Sequence, residues 1–314
     1  MEYLTLKNSD LKVSRMCMGG CPMGGYGWGS NVQESELIDA VHCALDNGIN
    51  FFDTADTYGL GQSEITLGKA LKGRRDKAVV ASKFGVHAKK GTPTFYDNSP
   101  EWIKSSIKGT LKRLDTDYLD LYQIHYRDEK TPLSEVVDTL EELKKAGYIR
   151  YYGLSNIHKG DIAELKEYKG KFVSFQDEYS LACRKNEKAM IELSQNCDLT
   201  PLTWGSLGQG ILTGKYNLDN INFGPNDRRS RDIYVNFHGE KLKKNLEIVD
   251  VMRDVAEEHN TSVSSVAIRF ILDYINDSVV LAGVKRPEQL LGNIEAFGWN
   301  LTQEELKRLD EVSK

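Results

Sequence analysis

The chain has 314 residues, of which 40% are hydrophobic and 28% charged, a balance that argues against a disordered or membrane-embedded protein and for a soluble globular one. Its net charge of −5, with both signs scattered along the chain, offers no basic face for nucleic acid and no polybasic segment for a membrane surface. The opening MEYLTLKNSD lacks the apolar core of a secretory signal. The five cysteines (Cys17, Cys21, Cys43, Cys183 and Cys197) contain no C-x-x-C pair, so reduced thiols in a cytoplasm are expected.

No linker or low-complexity tract divides the sequence, and residues 1–314 read as one domain. In chain order, β-branched and aromatic runs predict strands over 15–19, 49–53, 78–83, 118–125, 151–155, 172–176, 200–205 and 279–283. Between them the apolar periodicity predicts helices over 35–47, 64–71, 100–114, 132–146, 159–167, 187–195, 261–273 and 287–297. Several of these open near a proline or stop at a glycine. Eight strands alternating with helices predict an α/β fold, a (β/α)8 TIM barrel. Two long polar loops, 85–99 and 217–239, follow the third and seventh strands and so fall on the face where barrel active sites collect. Residues 242–260 predict an extra helix before the last unit.

The second strand reads INFFDTADTYG and places Asp53 at its end, with Tyr58 just beyond. The third, AVVASK, ends in Lys83, and the fourth, YLDLYQIH, ends in His125. Strand ends of a barrel ring one pocket, so a carboxylate, a phenol, an amine and an imidazole are expected to meet there. A free phenol, with a pKa of about 10, is a poor acid at neutral pH, and a neighbouring ammonium is expected to lower it. Asp53 would keep Lys83 charged while His125 donates to a substrate oxygen, the parts needed for general acid catalysis on a carbonyl. Taken singly, Asp53 and Lys83 also read as a structural ion pair and His125 as a core histidine. Two phosphate motifs fail: GGCPMGGYGWG contains no G-x-G-x-x-G, and LGQGILTGKY has Gln209 at the first glycine of a P-loop and Tyr216 after its lysine. The six histidines show no metal-ligand spacing.

The stretches FFDTADTYGLGQSE, IKGTLKRLDTDYLDLYQIHYRD, GYIRYYGLSN, FQDEYSL, LGQGILTGKY and RPEQLLGNIEA, in this order, resemble the aldo-keto reductase family over essentially the whole chain. The resemblance implies a catalytic tetrad of Asp53, Tyr58, Lys83 and His125, with Tyr58 as proton donor. It also implies NADPH (NADP+) lying extended across the barrel mouth. Channel-associated relatives sometimes replace the histidine; this chain keeps it. On the resemblance, Ser155, Asn156 and Gln176 serve the nicotinamide carboxamide, Trp204 stacks on its ring, and Gly20, Cys21 and Asp53 lie beside it. Gly205, Ser206, Leu207, Gly208, Gln209 and Lys215 cradle the pyrophosphate, and Gly283, Lys285, Arg286, Gln289 and Asn293 hold the adenosine end. The charges of Lys285 and Arg286 suit a 2′-phosphate and hence NADPH over NADH.

This chain departs from common family members at Gly20 and Cys21, where many carry threonine and an aromatic, and at Ser206, where a proline is common. The first departure is expected to open the pocket and the second to loosen its loop. Trp28, Tyr58, His125 and Tyr126 are expected to touch a small-molecule carbonyl substrate, with Phe95, Tyr96 and Phe237 at a mouth left open because no long tail follows the last helix. An oxidative sugar or polyol dehydrogenase and a cofactor-sensing module stay open as alternatives. Substrate and oligomeric state are not legible in the sequence.

Overall fold

The computed structural model describes every residue except Tyr26, 29–31, His158, Lys159 and Pro225; the start of the predicted fifth helix, at Lys159, lies outside the described residues. Among the described residues, eight parallel strands close a barrel: β1 (Met16–Gly19), β2 (Phe51–Asp53), β3 (Val79–Phe84), β4 (Leu119–Ile124), β5 (Ile149–Ser155), β6 (Ser174–Glu178), β7 (Thr200–Trp204) and β8 (Val279–Gly283). The hydrogen-bonded order runs β6-β7-β8-β1-β2-β3-β4-β5 and returns to β6, the expected TIM barrel. Around it lie α1 (Glu34–Asp46), α2 (Gln62–Leu71), α3 (Pro100–Leu114), α4 (Leu133–Lys145), α5 (Asp161–Glu167), α6 (Glu187–Asn196), α7 (Gly239–Glu258), α8 (Val263–Tyr274), α9 (Pro287–Ile294) and α10 (Gln303–Ser313). None of these helices is long and apolar enough to cross a membrane.

Successive strand residues point to opposite faces, and this alternation builds two cores. Phe51 and Leu121 point into the barrel, where they pack with Cys17, Ala81, Leu202 and Val279. Their neighbours Phe52 and Tyr122 point outward into the larger layer between strands and helices. The barrel interior is plugged at one end by Leu6, Leu11 and Val13 of an N-terminal hairpin, Tyr3–Thr5 against Lys12–Ser14. Its turn is tied to the N-terminal ends of β6 and β7: Lys7 N donates to Thr200 Oγ1 at 2.8 Å and Asn8 Nδ2 to the Phe172 carbonyl at 3.1 Å. With that end sealed, the cavity opens at the other.

Three elements escaped the sequence reading. The hairpin strands are only three residues long, too short for a periodicity signal. Helix α10 carries a capping box between Thr302 and Glu305, a signal present in the sequence as T-x-x-E. It brings Ser313 and Lys314 back to line the cavity, so the side expected to be open has a wall. The 85–99 loop folds into a small hairpin, Val86–His87 against Phe95–Tyr96.

The loop that carries Tyr58 is held by a backbone crossing. Gly59 has φ +63° and lies against the carbonyl of Gly24, and a Cβ on Gly24 would fall 2.7 Å from Gly59 N. Only glycine fits both the left-handed conformation and this contact. Gly59→Ala is expected to cost about 2–4 kcal/mol and to displace Tyr58. Chemical denaturation of the two proteins checks this, and an unchanged midpoint would show that the crossing bears no such constraint.

Candidate active site

The alternation that fills the barrel with Phe51, Ala81 and Leu121 delivers Asp53, Lys83 and Gln123, two residues further on, to the same interior face. Here the interior turns from apolar to polar. Lys83, only 1% exposed, donates to Asp53 Oδ1 at 2.5 Å, to the Thr54 carbonyl at 2.9 Å and to the Tyr58 hydroxyl at 3.3 Å. Its three protons are thereby all used. Asp53 is buried as well, and its second oxygen accepts from Gln123 Nε2 at 3.0 Å and Gln176 Nε2 at 2.9 Å.

His125 follows β4, its backbone N–H held by the Phe84 carbonyl at 2.9 Å and its ring edge-on to Tyr58 at 6.0 Å. Burial first, and then the positive charge of Lys83, hold this imidazole well below the ordinary histidine range, so it is neutral. Tyr58 differs from expectation. Burial, ahead of Coulombic contributions from Cys21 and the Asp53 carboxylate, pushes its phenol well above the usual range rather than below it. The geometry therefore presents a protonated phenol touching a buried ammonium, beside a neutral imidazole.

A cavity of about 1480 Å³ opens above this cluster, larger than a drug-sized ligand needs. Tyr58, His125, Tyr126 and Trp28 line it at the end above Lys83, with Gly20, Cys21 and Asp53 beside them. Ser155, Asn156, Gln176 and Trp204 line it along the ends of β5 to β7. Farther on come Gly205, Ser206, Leu207, Gln209 and Lys215, and finally Gly283, Lys285, Arg286, Gln289 and Asn293. Lys83 lies below the floor and reaches the cavity through Tyr58 and Asp53, both of which line it. Amide groups beside a flat indole, with cations at the far end, fit an elongated, phosphate-bearing nicotinamide dinucleotide.

Several expectations need correction. Gly208 does not line the cavity: it is buried against Ile211 and Ala182, and its N–H is used by the Gly205 carbonyl at 2.7 Å. Ser206 does not loosen its loop, because its buried hydroxyl donates to the Thr203 carbonyl at 2.8 Å and closes the turn. The missing side chain of Gly20 opens no space, since a Cβ there would meet Ser63 Oγ at 2.7 Å and the Asp53 carbonyl at 2.9 Å. Phe237 is not at the mouth but buried against Tyr216 and Phe223. Phe95 and Tyr96 are exposed on their hairpin, and Tyr96 reaches the site only by stacking on Tyr126, which stacks in turn on His125.

The sequence model of the Aldo/keto reductase family matches residues 15–314. The chain belongs to this family. An aldo-keto reductase of Bacillus subtilis, YhdN, is 33% identical over 99% of this chain and 93% of its own length. The NADH-specific methylglyoxal reductase of Escherichia coli is 29% identical over 100% of this chain and 99% of its own. The solved structure of a glycerol dehydrogenase from Gluconobacter oxydans superposes with a TM-score of 0.88 at 34% identity, covering 99% of this chain and 94% of that one. As an aldo/keto reductase the chain is an oxidoreductase of a nicotinamide-dependent family.

Gln123 is the member of this reductase's polar layer that sequence reasoning passed over. Its signal is the period-two series Leu121, Gln123, His125, which places Gln123 on the same face as the histidine that ends the run. Gln123→Leu would leave Asp53 one donor short, at a cost of about 1–3 kcal/mol in stability. Turnover is expected to fall by about ten- to a hundredfold as Lys83 and Tyr58 lose their alignment. Denaturation and steady-state kinetics on the variant check both figures; wild-type behaviour in both would remove Gln123 from the site.

Asp56 provides a pH test. Its Oδ1 is buried and has no hydrogen-bond partner among the described residues, and burial, then Glu64, push its carboxyl up to about 7. Between pH values of about 4 and 7 the folded chain holds a proton that the unfolded chain has released, so this group's contribution to stability declines as pH rises through that window. Asp56→Asn is expected to stabilise the protein by about 1–3 kcal/mol above neutral pH and by almost nothing near pH 4. Unfolding curves across this range decide it, and a pH-independent effect would contradict the assignment.

Proposed function

We propose that this protein reduces small aldehydes, ketones or sugar carbonyls to alcohols with NADPH, Tyr58 giving the proton. The observation that carries the reading is the buried Lys83 ammonium touching both Asp53 and the Tyr58 hydroxyl at the floor of the cavity. When bound, the reduced nicotinamide supplies the hydride. The chain's own part is electrostatic. Tyr58 keeps its proton at neutral pH and is positioned to release it to a nascent alkoxide, while Lys83 stabilises the phenolate left behind. A neutral His125 carries one ring N–H, suited to holding the substrate oxygen without a competing charge. Asp53, anchored by Gln123 and Gln176, keeps the ammonium in place.

Ser155, Asn156, Gln176 and Trp204 would hold the nicotinamide end. Asn156 is itself braced by bonds from its Nδ2 to the His125 carbonyl at 3.0 Å and to Ser155 Oγ at 3.1 Å. The gathering of Lys215, Lys285, Arg286 and Arg229 at the far end supports NADPH. An oxidative reading, in which a polyol is the substrate, draws on the likeness to the glycerol dehydrogenase. Initial rates in both directions, at neutral and alkaline pH, separate the two.

Tyr58→Phe is expected to bind NADPH as the wild type does and to lose turnover on a panel of aldehydes, diketones and sugars by about a thousandfold. Loss of NADPH absorbance measures turnover, and quenching of tryptophan fluorescence measures binding. Equal activity in the variant would overturn the role of Tyr58. Tight NADPH binding with no wild-type turnover on any carbonyl would move a cofactor-sensing role to first place.

A further inference from the structure

The far end of the cavity is crowded with positive charge. Burial, then repulsion from Arg229, Arg286 and Lys215, hold the Lys285 ammonium below its ordinary range. Three of these cations already have partners in the chain itself, Arg229 being paired with the carboxylate of Asp227. Lys285 Nζ donates to the Trp28 carbonyl at 2.5 Å, tying the β1 loop to the end of β8. Arg286, the residue that precedes α9, donates from Nε to Glu36 Oε1 at 2.9 Å. Glu36 is a fixed partner: its other carboxylate oxygen accepts from Gln33 N at 3.0 Å and completes the capping box of α1. It lies outside the residues that line the cavity and reaches it only through Arg286.

We infer that Glu36 sets the cofactor preference, as a positioning residue that compensates the charge of Arg286 and so weakens the hold of this end on a 2′-phosphate while leaving a 2′-hydroxyl unaffected. The inference rests on the reading of the cavity as a nicotinamide dinucleotide cleft. A phosphate monoester carries close to two negative charges at neutral pH. To reach Arg286 it must displace the carboxylate or share the guanidinium with it, and in either case it meets a like charge. NADH brings no such charge and loses nothing. Both side chains are 38% exposed, so water and salt screen the effect, and it is one of degree. Glu36 thus narrows the advantage that Lys285, Arg286 and Lys215 give to NADPH, and leaves a chain able to use both dinucleotides.

The test is Glu36→Gln, which keeps a side chain able to serve the α1 capping box but removes the charge. Titration calorimetry would compare adenosine 2′,5′-bisphosphate with 5′-AMP, and NADPH with NADH, on both proteins. The variant is expected to bind the 2′-phosphate ligands about three- to tenfold more tightly and the others equally, with the gain shrinking as salt is added. Adding Arg286→Gln to the variant is expected to abolish the gain. Equal tightening of all four ligands, no change in any, or a gain that survives Arg286→Gln would overturn the inference while leaving the cofactor reading intact. If the wild type binds neither dinucleotide, the cofactor reading falls, and this inference with it.

Discussion

The structure turns on one buried charge. An ammonium inside a barrel is costly unless every proton finds an acceptor and its charge a counter-ion, and removing one partner of such a pair typically costs about 3–5 kcal/mol. Lys83 meets these terms with Asp53, the Thr54 carbonyl and Tyr58. Asp53 meets its own with Gln123 and Gln176, so strands β2, β3, β4 and β6 each contribute one residue to a single polar layer. Tyr58, Asp53 and Gln176 bring this network to the cavity wall, and the polar end of the cavity lies where it does because the ammonium is pinned beneath it. The hairpin that seals the opposite end of the barrel gives this layer its direction, with apolar interior below and cavity above.

A protonated phenol over a charged amine stores an asymmetry. In the free site, burial keeps the proton on Tyr58 and keeps His125 neutral. Both shifts arise from the same poor solvation, which also strengthens any interaction between Lys83 and a phenolate once one forms. The expectation that a nearby lysine lowers the tyrosine pKa considered only the charge and left out the burial that comes with a position on the cavity floor. On the proposed reduction, in which Tyr58 gives up its proton, the higher value is the useful one before reaction and the ammonium matters afterwards.

The barrel was legible because its signals are local and repeated. All eight strands lie within two residues or so of the runs marked by β-branched and aromatic side chains, and the helices begin and end near their prolines and glycines. The four candidate catalytic residues were legible because strand ends of a barrel converge. Gln123 was obscured by the stronger appeal of His125, two residues along the same face. The misreadings of Gly20 and Ser206 share a cause: what fills the space of a missing side chain, or closes a turn without proline, is decided by partners distant in sequence or by hydroxyl geometry. Ser63 supplies the first and Ser206 itself the second. Phe237 was assigned to the rim because its loop is polar, yet it turns inward with Tyr216 and Phe223 to anchor that loop.

The two ends of the cavity are built to different standards. At the polar end the charges of Lys83 and Asp53 are buried, paired with each other and carried on strands, so small displacements are resisted by the whole barrel. At the cationic end Lys285 and Arg286 sit on a loop and a helix start, half exposed, and are engaged by chain partners that a ligand can replace: a backbone carbonyl for Lys285 and a carboxylate for Arg286. Exposed pairs of this kind are individually weak and exchange partners readily. On the proposed reading, substitutions there would alter which dinucleotide is held without disturbing the buried polar layer. A division of this kind leaves the cationic end free to vary, and one relative of this chain is an NADH-specific reductase.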